Sequence, residues 1–575
     1  MDRSVAQKKI LFGTVFLVLI IRCLYIFSFP FDFGADASMY YTMILQKHSH
    51  MLMAQGYPFL MMFPYHFLRQ LVSLFVSIPD DSLFNPWWTT SNHWLVGSQT
   101  LDDGISWVAV FQNHDFIIFQ HSIELLTLLC GFILVRKYFG FWVSVVFLVL
   151  YGISPSSLED SSACRPEWFQ GSLFVFWVYL AEKIKEASFS KKLVLYGALG
   201  LLCAAGFLVK FNGLPIFLVL FALLIFWDRE LLSVRTLWKT LAKVSICGLL
   251  AIGLVWVFIA GYHRPTTGSS TLTVNSWILA DKAFQFLPTL NLSKENGIHA
   301  KRVLALKRGL PLTKGVVLDG TYFRKPGLLE ELRAPYREKL GWILNATSRE
   351  LDQYLSSVGT DSLYEQQSLL HFAYYIGLEE YGDLLKKMYI ESVKKYPLSF
   401  FHDTAIGFLR SFAMKQRSNL YHALYEEVQA GRNHPEVSHY GFVKFLWPSD
   451  RGVCYHENVV WLPGVWLFTK MSAYWPPTWF VWFLAFFAFF SAVKNVGKDG
   501  MRSSLIVGIT LILLLFVFGS NMLYIEFRIK DYRCIHLFAT ALASIGLYQI
   551  FNLGKEALRR SRYRSTINGL KVNYG

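Results

Sequence analysis

Residues 10–41 read ILFGTVFLVLIIRCLYIFSFPFDFGADASMYY. Residues 10–29 are predominantly apolar and long enough to cross the roughly 30 Å hydrocarbon core of a bilayer. The segment 33–41 follows almost at once, so one carboxylate, Asp36, lies where the chain leaves the membrane. A run typical of a helix comes next. This placement predicts a reaction at a membrane face, served by a substrate dissolved in the lipid.

The composition of the whole chain supports a membrane protein. Hydrophobic residues make up 54% of the 575 residues and charged residues only 17%, which is too little polar surface for a soluble chain of this length. The predicted fold class is all-α: a multi-pass transmembrane helical bundle of about ten spans, with interfacial helices and a mainly helical extracytoplasmic domain. The predicted spans are 10–29, 117–135, 140–157, 167–181, 193–210, 214–228, 241–261, 476–493, 503–523 and 534–552.

Basic residues cluster at both ends of the chain and after every second predicted span. Counting spans puts these clusters on one side of the membrane, which the positive-inside rule assigns to the cytoplasm together with both termini. This topology accounts for the net charge of +15 without a nucleic-acid partner. No small-residue cleavage site follows the first span, so we expect an anchor and not a removed signal peptide. The clusters contain Arg3, Lys8 and Lys9; Arg136 and Lys137; Lys183, Lys185, Lys191 and Lys192; Arg229, Arg235 and Lys239; Lys494, Lys498 and Arg502; and Arg559, Arg560, Arg562 and Arg564.

The larger polar segments fall on the opposite, non-cytoplasmic side. Within 37–77, polar and apolar positions intermix, which predicts two interfacial amphipathic helices, and 78–104 is a turn-rich predicted loop. Residues 369–394 and 400–429 carry apolar residues at helical spacing. The predicted divisions are an N-terminal transmembrane module, 1–261, that includes the first outer loop, 30–116; a mainly helical extracytoplasmic domain, 262–475; C-terminal transmembrane helices, 476–552; and a basic cytoplasmic tail, 553–575.

The seven cysteines contain no CxxC pair, so the sequence predicts no zinc or redox motif. Cys164 and Cys454 both fall on the outer side and could pair in an oxidising compartment. Asn291 and Asn345 begin N-glycosylation patterns, which matter only in a eukaryotic secretory setting.

Asp36 is the first candidate for chemistry. It either caps the following helix, since aspartate accepts backbone N–H bonds well at that position, or also serves as a catalytic acid or base. Tyr40 lies four residues later and would share its helix face. Asp115 opens the second span on the same side. It is either another site carboxylate or an acid favoured by the helix dipole.

The short predicted loop 154–166 and its border combine three carboxylates with one guanidinium. Charged groups near a bilayer are costly and tend to be functional, so Arg165 and Glu167 are candidates. The alternative is an ion pair between Arg165 and a glutamate that only seals the loop. Lys210 ends another span on this side. Its ammonium could hold an anionic headgroup as a point charge or snorkel to the interface.

A last basic cluster, 526–533, precedes the tenth span on the side where the positive-inside rule does not predict it. Arg528, Tyr532 and Arg533 suit an anionic phosphate partner, and local ion pairing within the segment is the alternative. Carboxylates and cations thus converge on one membrane face. That arrangement suits a lipid-phosphate donor, whose leaving group the cations would stabilise while a carboxylate takes a proton from an acceptor hydroxyl.

Several short motifs resemble those of the polytopic GT-C glycosyltransferases, especially the branch of protein mannosyltransferases, aminoarabinose transferases and related bacterial enzymes. The resemblance covers the membrane part of the chain, and it rests on the order of the motifs and on their shared face. The motifs are Gly34-Ala-Asp36-Ala-Ser-Met-Tyr40, Gly56-Tyr57-Pro58-Phe59-Leu60, Arg165-Pro166-Glu167, Lys210-Phe-Asn-Gly-Leu-Pro215, Lys395-Tyr-Pro397-Leu-Ser-Phe-Phe401 and Asp531-Tyr532-Arg533.

The resemblance implies an enzyme that moves a sugar from a polyprenyl- or dolichyl-phosphate donor to a hydroxyl of a glycan, lipid or protein acceptor, with inversion at the anomeric carbon. It implies that Asp36 is the catalytic base or acceptor-binding acid, and that Arg165, Lys210 and Arg533 bind the lipid phosphate. The family's acid is often followed by a second acid, whereas position 37 is alanine. An adjacent acidic pair for a divalent cation is therefore not predicted, although Asp115 could substitute. The expected location is a bacterial inner membrane, with the endoplasmic reticulum as the alternative.

Two other classes remain open. A transporter or a flippase of lipid-linked sugars would also have about ten spans, with charges at mid-membrane and structurally related halves. The sequence shows few such charges and no convincing halves. A non-catalytic membrane subunit or receptor would leave the charge cluster on the outer face unexplained.

Overall fold

The computed structural model describes residues 3–28, 56–74, 114–162, 165–210, 236–267, 297–310, 333–358, 375–412, 452–495, 500–523 and 534–572, with short pieces between them. Helices dominate these residues, which confirms the all-α class. The helices of eight or more residues are α1 (Arg3–Ser28), α2 (Gly56–Ser73), α3 (His114–Phe139), α4 (Phe141–Gly152), α5 (Pro155–Ser162), α6 (Pro166–Lys183), α7 (Phe189–Val209), α8 (Leu237–Phe258), α9 (Ile298–Gly309), α10 (Arg337–Asn345), α11 (Ser348–Val358), α12 (Leu378–Lys395), α13 (Pro397–Phe412), α14 (Leu462–Tyr474), α15 (Thr478–Asn495), α16 (Gly500–Leu523) and α17 (His536–Val572).

Within the residues that the structure describes, seven helical segments are long and apolar enough to cross a membrane, so the chain is a multi-pass membrane protein. Each of them overlaps one of the ten predicted spans. The segments are Ser4–Ile26, Phe116–Phe139, Phe189–Val209, Leu237–His263, Thr478–Asn495, Arg502–Met522 and His536–Arg559.

The other three predicted spans are not among these seven segments, and only two of them can be compared with the structure. The predicted span 140–157 is divided into the 12-residue helix α4 and the separate helix α5. The predicted span 167–181 is the helix α6, whose 18 residues include Glu167, Glu182 and Lys183, so it is more polar than the seven segments. Only part of 214–228 belongs to the described residues.

Two glycines bring neighbouring spans into backbone contact. A Cβ at Gly200 in α7 would overlap the carbonyl oxygen of Cys247 in α8. A Cβ at Gly546 in α17 would likewise overlap the carbonyl oxygen of Leu484 in α15. Small residues of this kind let membrane helices approach closely and gain van der Waals contact.

We expect Gly200→Leu to force α7 and α8 apart, because the obstructing atom is backbone and cannot rotate away. Overpacking of this kind costs about 1–3 kcal/mol. A thermal melting curve of the detergent-solubilised protein should show a clear decrease in melting temperature. The matched control is Gly248→Leu in α8, where no atom lies within 4 Å of the added Cβ. Equal melting temperatures for the two variants would contradict the contact.

The bundle has two ends. We call the end where α1, α7 and α16 finish and α3, α6 and α17 begin the site end. The opposite end, where α3 and α6 finish and α7 and α8 begin, is the lysine end. At the site end, α2 packs on α7 through the buried side chains of Tyr57, Met61 and Tyr65, while Phe63 and Phe67 are exposed. This amphipathic pattern agrees with one of the two helices predicted within 37–77, and the residues of the other lie outside those described.

An ion cluster stabilises the lysine end. The buried carboxylate of Asp228 accepts hydrogen bonds from Lys192 Nζ at 3.0 Å, Lys243 Nζ at 2.6 Å and Tyr196 OH at 3.1 Å. Lys243 Nζ also donates to Glu230 at 2.6 Å. Two ammonium groups therefore face two carboxylates, and the cluster joins α7, α8 and the connection between them. Removing one partner of such a pair leaves an uncompensated buried charge.

The pH dependence of this cluster follows from Asp228, which lies between the spanning segments Phe189–Val209 and Leu237–His263. Burial acts to raise its pKa, but the hydrogen bonds from Lys243 and Lys192 outweigh burial and hold the pKa below its ordinary value. A lowered carboxyl pKa contributes stability above the unfolded value of about 3.9, and that contribution is lost as the pH falls through the folded pKa. At pH 6 the melting temperature of wild type should therefore be higher than that of Asp228→Asn. The difference between the two melting temperatures should shrink below about pH 4. A difference that stays constant down to pH 3 would contradict this account.

Helices α9 to α12 build a separate helical domain around one hydrophobic core. The Glu391 carboxylate of α12 accepts backbone N–H bonds from Ile298 and His299, both at 3.0 Å, and so caps the start of α9. Lys301 of α9 contacts Asp352 of α11 at 2.8 Å. These contacts fix the order in which the helices pack.

Helix α13 connects this domain to the bundle. The break between α12 and α13 falls at Pro397, as the sequence predicts. Tyr389 OH donates to the Met522 carbonyl at 2.9 Å, and Asn521 Nδ2 donates to Ser411 Oγ at 3.0 Å. Since Asn521 and Met522 end α16, the domain lies at the site end.

Three further features differ from the sequence prediction. The predicted loop 154–166 is wrong over most of its length, because Pro155–Ser162 forms α5. The region 262–475 also contains strands beside its helices. Its antiparallel sheet contains β3 (Glu436–Val437), β4 (Phe442–Ser449) and β5 (Gly452–Trp461), and Phe442 lies opposite Trp461. A shorter antiparallel pair occurs at the end of the predicted loop 78–104 and is formed by two strands, β1 (Thr100–Leu101) and β2 (Gly104–Ile105).

Candidate functional site

A layer of buried polar side chains occupies the site end of the bundle. Its centre is Arg22 of α1, which is 2% exposed although apolar residues surround it in the sequence. The guanidinium donates hydrogen bonds to the Gly152 carbonyl at 3.2 Å, Ser157 Oγ at 2.6 Å and Ser161 Oγ at 3.1 Å. Helix α5 therefore presents its serines to Arg22. An arginine held inside a membrane bundle indicates a functional site or a strong structural constraint.

Helix α3 contributes the next two members of the layer. Arg22 Nη1 lies 3.4 Å from His121 Nδ1. Because a guanidinium only donates, Nδ1 must accept, and a neutral His121 ring then carries its proton on Nε2. The Gln120 amide donates to the Ser161 carbonyl at 3.0 Å, and its Oε1 accepts from Tyr57 OH at 2.9 Å. Helix α2, which follows the segment carrying Asp36 in the chain, thus contacts the polar layer.

Glu124 lies one helical turn further into α3 and is also buried. Its carboxylate accepts a short hydrogen bond from Tyr151 OH of α4 and one from Ser172 Oγ of α6 at 3.4 Å. The ring of Tyr151 packs against that of His536 at the start of α17, with centroids 5.1 Å apart. The contacts of Glu124 and Tyr151 therefore extend the layer from α3 to α4, α6 and α17.

The second part of the site is the ion pair of Lys210 and Glu167. Lys210 ends α7, Glu167 lies in the first turn of α6, and Lys210 Nζ contacts Glu167 Oε1 at 2.9 Å. Both residues are buried, 8% and 4% exposed. The Lys210 ammonium therefore faces a carboxylate in the bundle, and the snorkelling alternative is wrong. Arg165 is the half-buried residue immediately before α6, with Pro166 at the first helical position.

Gln170 connects this ion pair to the start of α17. Its Nε2 donates to the carbonyls of Gly206 at 3.0 Å and Lys210 at 2.7 Å, which satisfies the end of α7. Its Oε1 accepts from Cys534 Sγ at 3.3 Å. Cys534 follows Arg533 directly in the chain. The basic cluster 526–533 is therefore joined in sequence to a residue that contacts the Lys210 region.

The structure describes few of the other predicted site residues. Asp36, Tyr40, Arg528, Tyr532 and Arg533 lie outside the described residues. Their roles stay predictions.

Asp115 is in the first turn of α3, a position that fits both a site carboxylate and an acid favoured by the helix dipole, and its side chain is outside those described. Cys164 also lies outside them, and only the backbone of Cys454, in β5, is described. The proposed disulfide therefore stays a prediction.

Sequence reasoning missed four residues of the polar layer. Arg22, Gln120, His121 and Glu124 all lie within predicted spans or at their edges, where the average hydropathy of the segment conceals them. The sequence does contain a signal that could have identified Arg22, His121 and Glu124, because each is an ionisable residue inside an apolar run. Such a residue is by itself a reason to propose a functional site.

Among the described residues, no group of three or more histidine, cysteine, aspartate or glutamate side chains is placed to hold a metal ion. Comparisons with known proteins give no match, whether to a family model, to a curated protein or to a solved structure. The fold and the site together define a multi-pass membrane protein with a buried polar layer at one end of its bundle.

Proposed function

We propose that this chain is a GT-C type glycosyltransferase that moves a sugar from a polyprenyl- or dolichyl-phosphate donor to an acceptor hydroxyl. The observation that carries the proposal is the buried pair of Lys210 and Glu167 at the site end. Gln170 donates a hydrogen bond to the Lys210 carbonyl and accepts one from Cys534, the residue that directly follows the basic segment 526–533. Cations at the end of membrane helices suit a phosphate whose lipid tail lies in the bilayer.

The proposed roles follow from charge. Asp36 accepts the proton of the acceptor hydroxyl as the new glycosidic bond forms and the bond from the anomeric carbon to the phosphate oxygen breaks. Lys210, Arg165 and Arg533 stabilise the negative charge that develops on the departing lipid phosphate. Attack from the side opposite the leaving group inverts the anomeric carbon. Asp115 is the second proposed catalytic carboxylate. Tyr40, Glu167, Arg528 and Tyr532 complete the proposed binding surface.

The proposed orientation places the site end on the non-cytoplasmic side, with both termini in the cytoplasm. It rests on the basic residues of the lysine end and of the chain termini. A bacterial inner membrane is the proposed location, with the endoplasmic reticulum as the alternative. The lipid donor would enter from the bilayer, and the acceptor from the aqueous face.

The proposal is tested by mass spectrometry of surface glycans and glycoproteins from cells with and without the gene. We expect one glycan, glycolipid or glycopeptide class to lose a defined sugar mass when the gene is deleted and to regain it on complementation. Identical glycan profiles in the two strains, with the protein expressed in the wild type, would contradict glycosyl transfer in that cell.

A transporter or flippase of lipid-linked sugars is the second candidate, and one observation favours it. Arg22 and Glu124 are buried within membrane-spanning segments, and intramembrane charges are typical of transport pathways. Purified protein in vesicles that contain a fluorescent polyprenyl-phosphate sugar separates the two functions. A flippase moves the intact lipid between leaflets, whereas a transferase consumes it only when an acceptor is present.

A further inference from the structure

Three buried glutamates in the bundle differ in what they contact. Glu167 pairs with Lys210. Glu182, which is 3% exposed, pairs with Lys137 and lies 3.5 Å from Lys183 Nζ. Glu124 is 1% exposed and accepts hydrogen bonds only from the hydroxyls of Tyr151 and Ser172, with no ion pair to a lysine, arginine or histidine in the part of the chain that the structure describes.

This difference matters because an isolated carboxylate in a low-dielectric interior is costly, and such a group takes up a proton instead. The titratable and charged groups around Glu124 are few. Arg22 from α1 favours the charged form, but its guanidinium donates to α5, to the Gly152 carbonyl and to His121. His121 on the same helix, Tyr151 from α4 and His536 from α17 complete the set.

The hydrogen bonds around Glu124 can accommodate a proton. Ser172 Oγ lies 3.4 Å from Glu124 Oε2 and 3.3 Å from the Trp168 carbonyl. If Ser172 donates its single proton to Trp168, its oxygen is left to accept one from Glu124. A protonated carboxyl would then donate through Oε2 and accept from Tyr151 through Oε1, so both oxygens are satisfied.

We propose that Glu124 is an intramembrane proton-binding site that exchanges its proton with the site end through the hydroxyl of Tyr151. The proton comes from water at the site end and returns there, so no other reactant is consumed. Tyr151 OH contacts Glu124 directly, and Tyr151 lies in the last turn of α4, at the site end of the bundle. The inference does not depend on the proposed glycosyl transfer, because a transferase or a transporter could contain such a site.

Infrared difference spectroscopy of the full chain in detergent at neutral pH tests the proposal. We expect the carbonyl-stretch band of a protonated carboxylic acid, lost in Glu124→Gln and retained in Glu182→Gln, whose glutamate is equally buried but ion-paired. Tyr151→Phe should slow the shift of this band in D2O. The control for folding is that Glu124→Gln elutes as a single monodisperse peak. If the spectrum of this folded variant shows the same carboxylic-acid band as wild type, or if wild type shows no such band, the proposal is overturned.

Should Glu124→Gln fail to fold, the wild-type protein still decides the question. Dicyclohexylcarbodiimide reacts with protonated carboxyls in apolar surroundings, and peptide mass spectrometry measures its modification of Glu124 and Glu182 in one sample. Greater modification of Glu124 supports a bound proton there. Equal or lower modification of Glu124 would show that it is no more protonated than the ion-paired Glu182 and would overturn the proposal.

Discussion

Replacing Lys210 with methionine should destabilise the folded protein by about 3–5 kcal/mol, because Glu167 then keeps a buried charge without its ion-pair partner. Methionine preserves most of the side-chain volume, so lost packing contributes little. The ion pair joins α6 to the end of α7, and its loss should loosen both. A thermal melting curve of the detergent-solubilised variant should show this as a large decrease in melting temperature.

The double variant Lys210→Met with Glu167→Gln separates the structural role of Lys210 from a role in phosphate binding. It removes both charges together, and replacing a buried ion pair by neutral groups of similar volume is often close to neutral for stability. We therefore expect a melting temperature near that of wild type. If Lys210 binds the donor phosphate, sugar transfer stays impaired in this folded variant. Full recovery of transfer would limit Lys210 to a structural role.

Replacing Asp36 with asparagine should lower the rate of sugar transfer by about 10²–10⁴-fold, the usual contribution of a positioned general base. Asparagine has nearly the same shape and caps helices as well as aspartate does. The melting temperature should therefore not change, so a loss of transfer in this variant would exclude the interpretation that Asp36 is only a helix cap. Transfer is measured as the release of radiolabelled sugar from a polyprenyl-phosphate donor in the presence of a membrane extract as the acceptor source.

Asp32→Asn is the matched control for this variant, because Asp32 lies four residues earlier on the same segment. We expect it to retain transfer. Equal losses in the two variants would indicate a general effect of charge on the segment, and near-wild-type transfer by Asp36→Asn would exclude Asp36 as the base.

The membrane architecture was predictable because each span carries its own signal. Long apolar runs identified seven helices, and Pro397 marked the end of α12, since proline cannot continue a helix. The divided span 140–157 was not predictable in this way. Its apolar residues continue through Gly152 and Ile153, where the chain breaks before α5, and hydropathy does not register a change of direction.

The site was predictable as a set of residues but not as a set of contacts. Lys210 and Glu167 were recognised as charges at a membrane border, yet they are 43 residues apart and meet only when α6 packs beside α7. Glu124 was missed because it lies inside a predicted span, while its partners, Tyr151 and Ser172, come from other helices. Tertiary packing, which a single sequence does not display, decides which charges become pairs.

The strand pair β4 and β5 was also not predictable from the sequence of either segment alone. The segment Phe442–Ser449 mixes apolar residues with Lys444 and Pro448, so it has neither a helical period nor a clean alternation of polar and apolar positions. Its pairing with Gly452–Trp461 depends on the hairpin as a whole. Strand preference is a property of the paired surface more than of the single segment.

The most direct test of glycosyl transfer uses the purified chain in vesicles made with polyprenyl phosphates that carry radiolabelled hexoses or aminopentoses. A membrane extract supplies the acceptors. The account predicts that wild type converts one donor to free lipid phosphate and a labelled acceptor, and that Asp36→Asn does so far more slowly. Labelled donor that crosses the bilayer intact, with no labelled acceptor formed by wild type, would contradict it and favour a flippase.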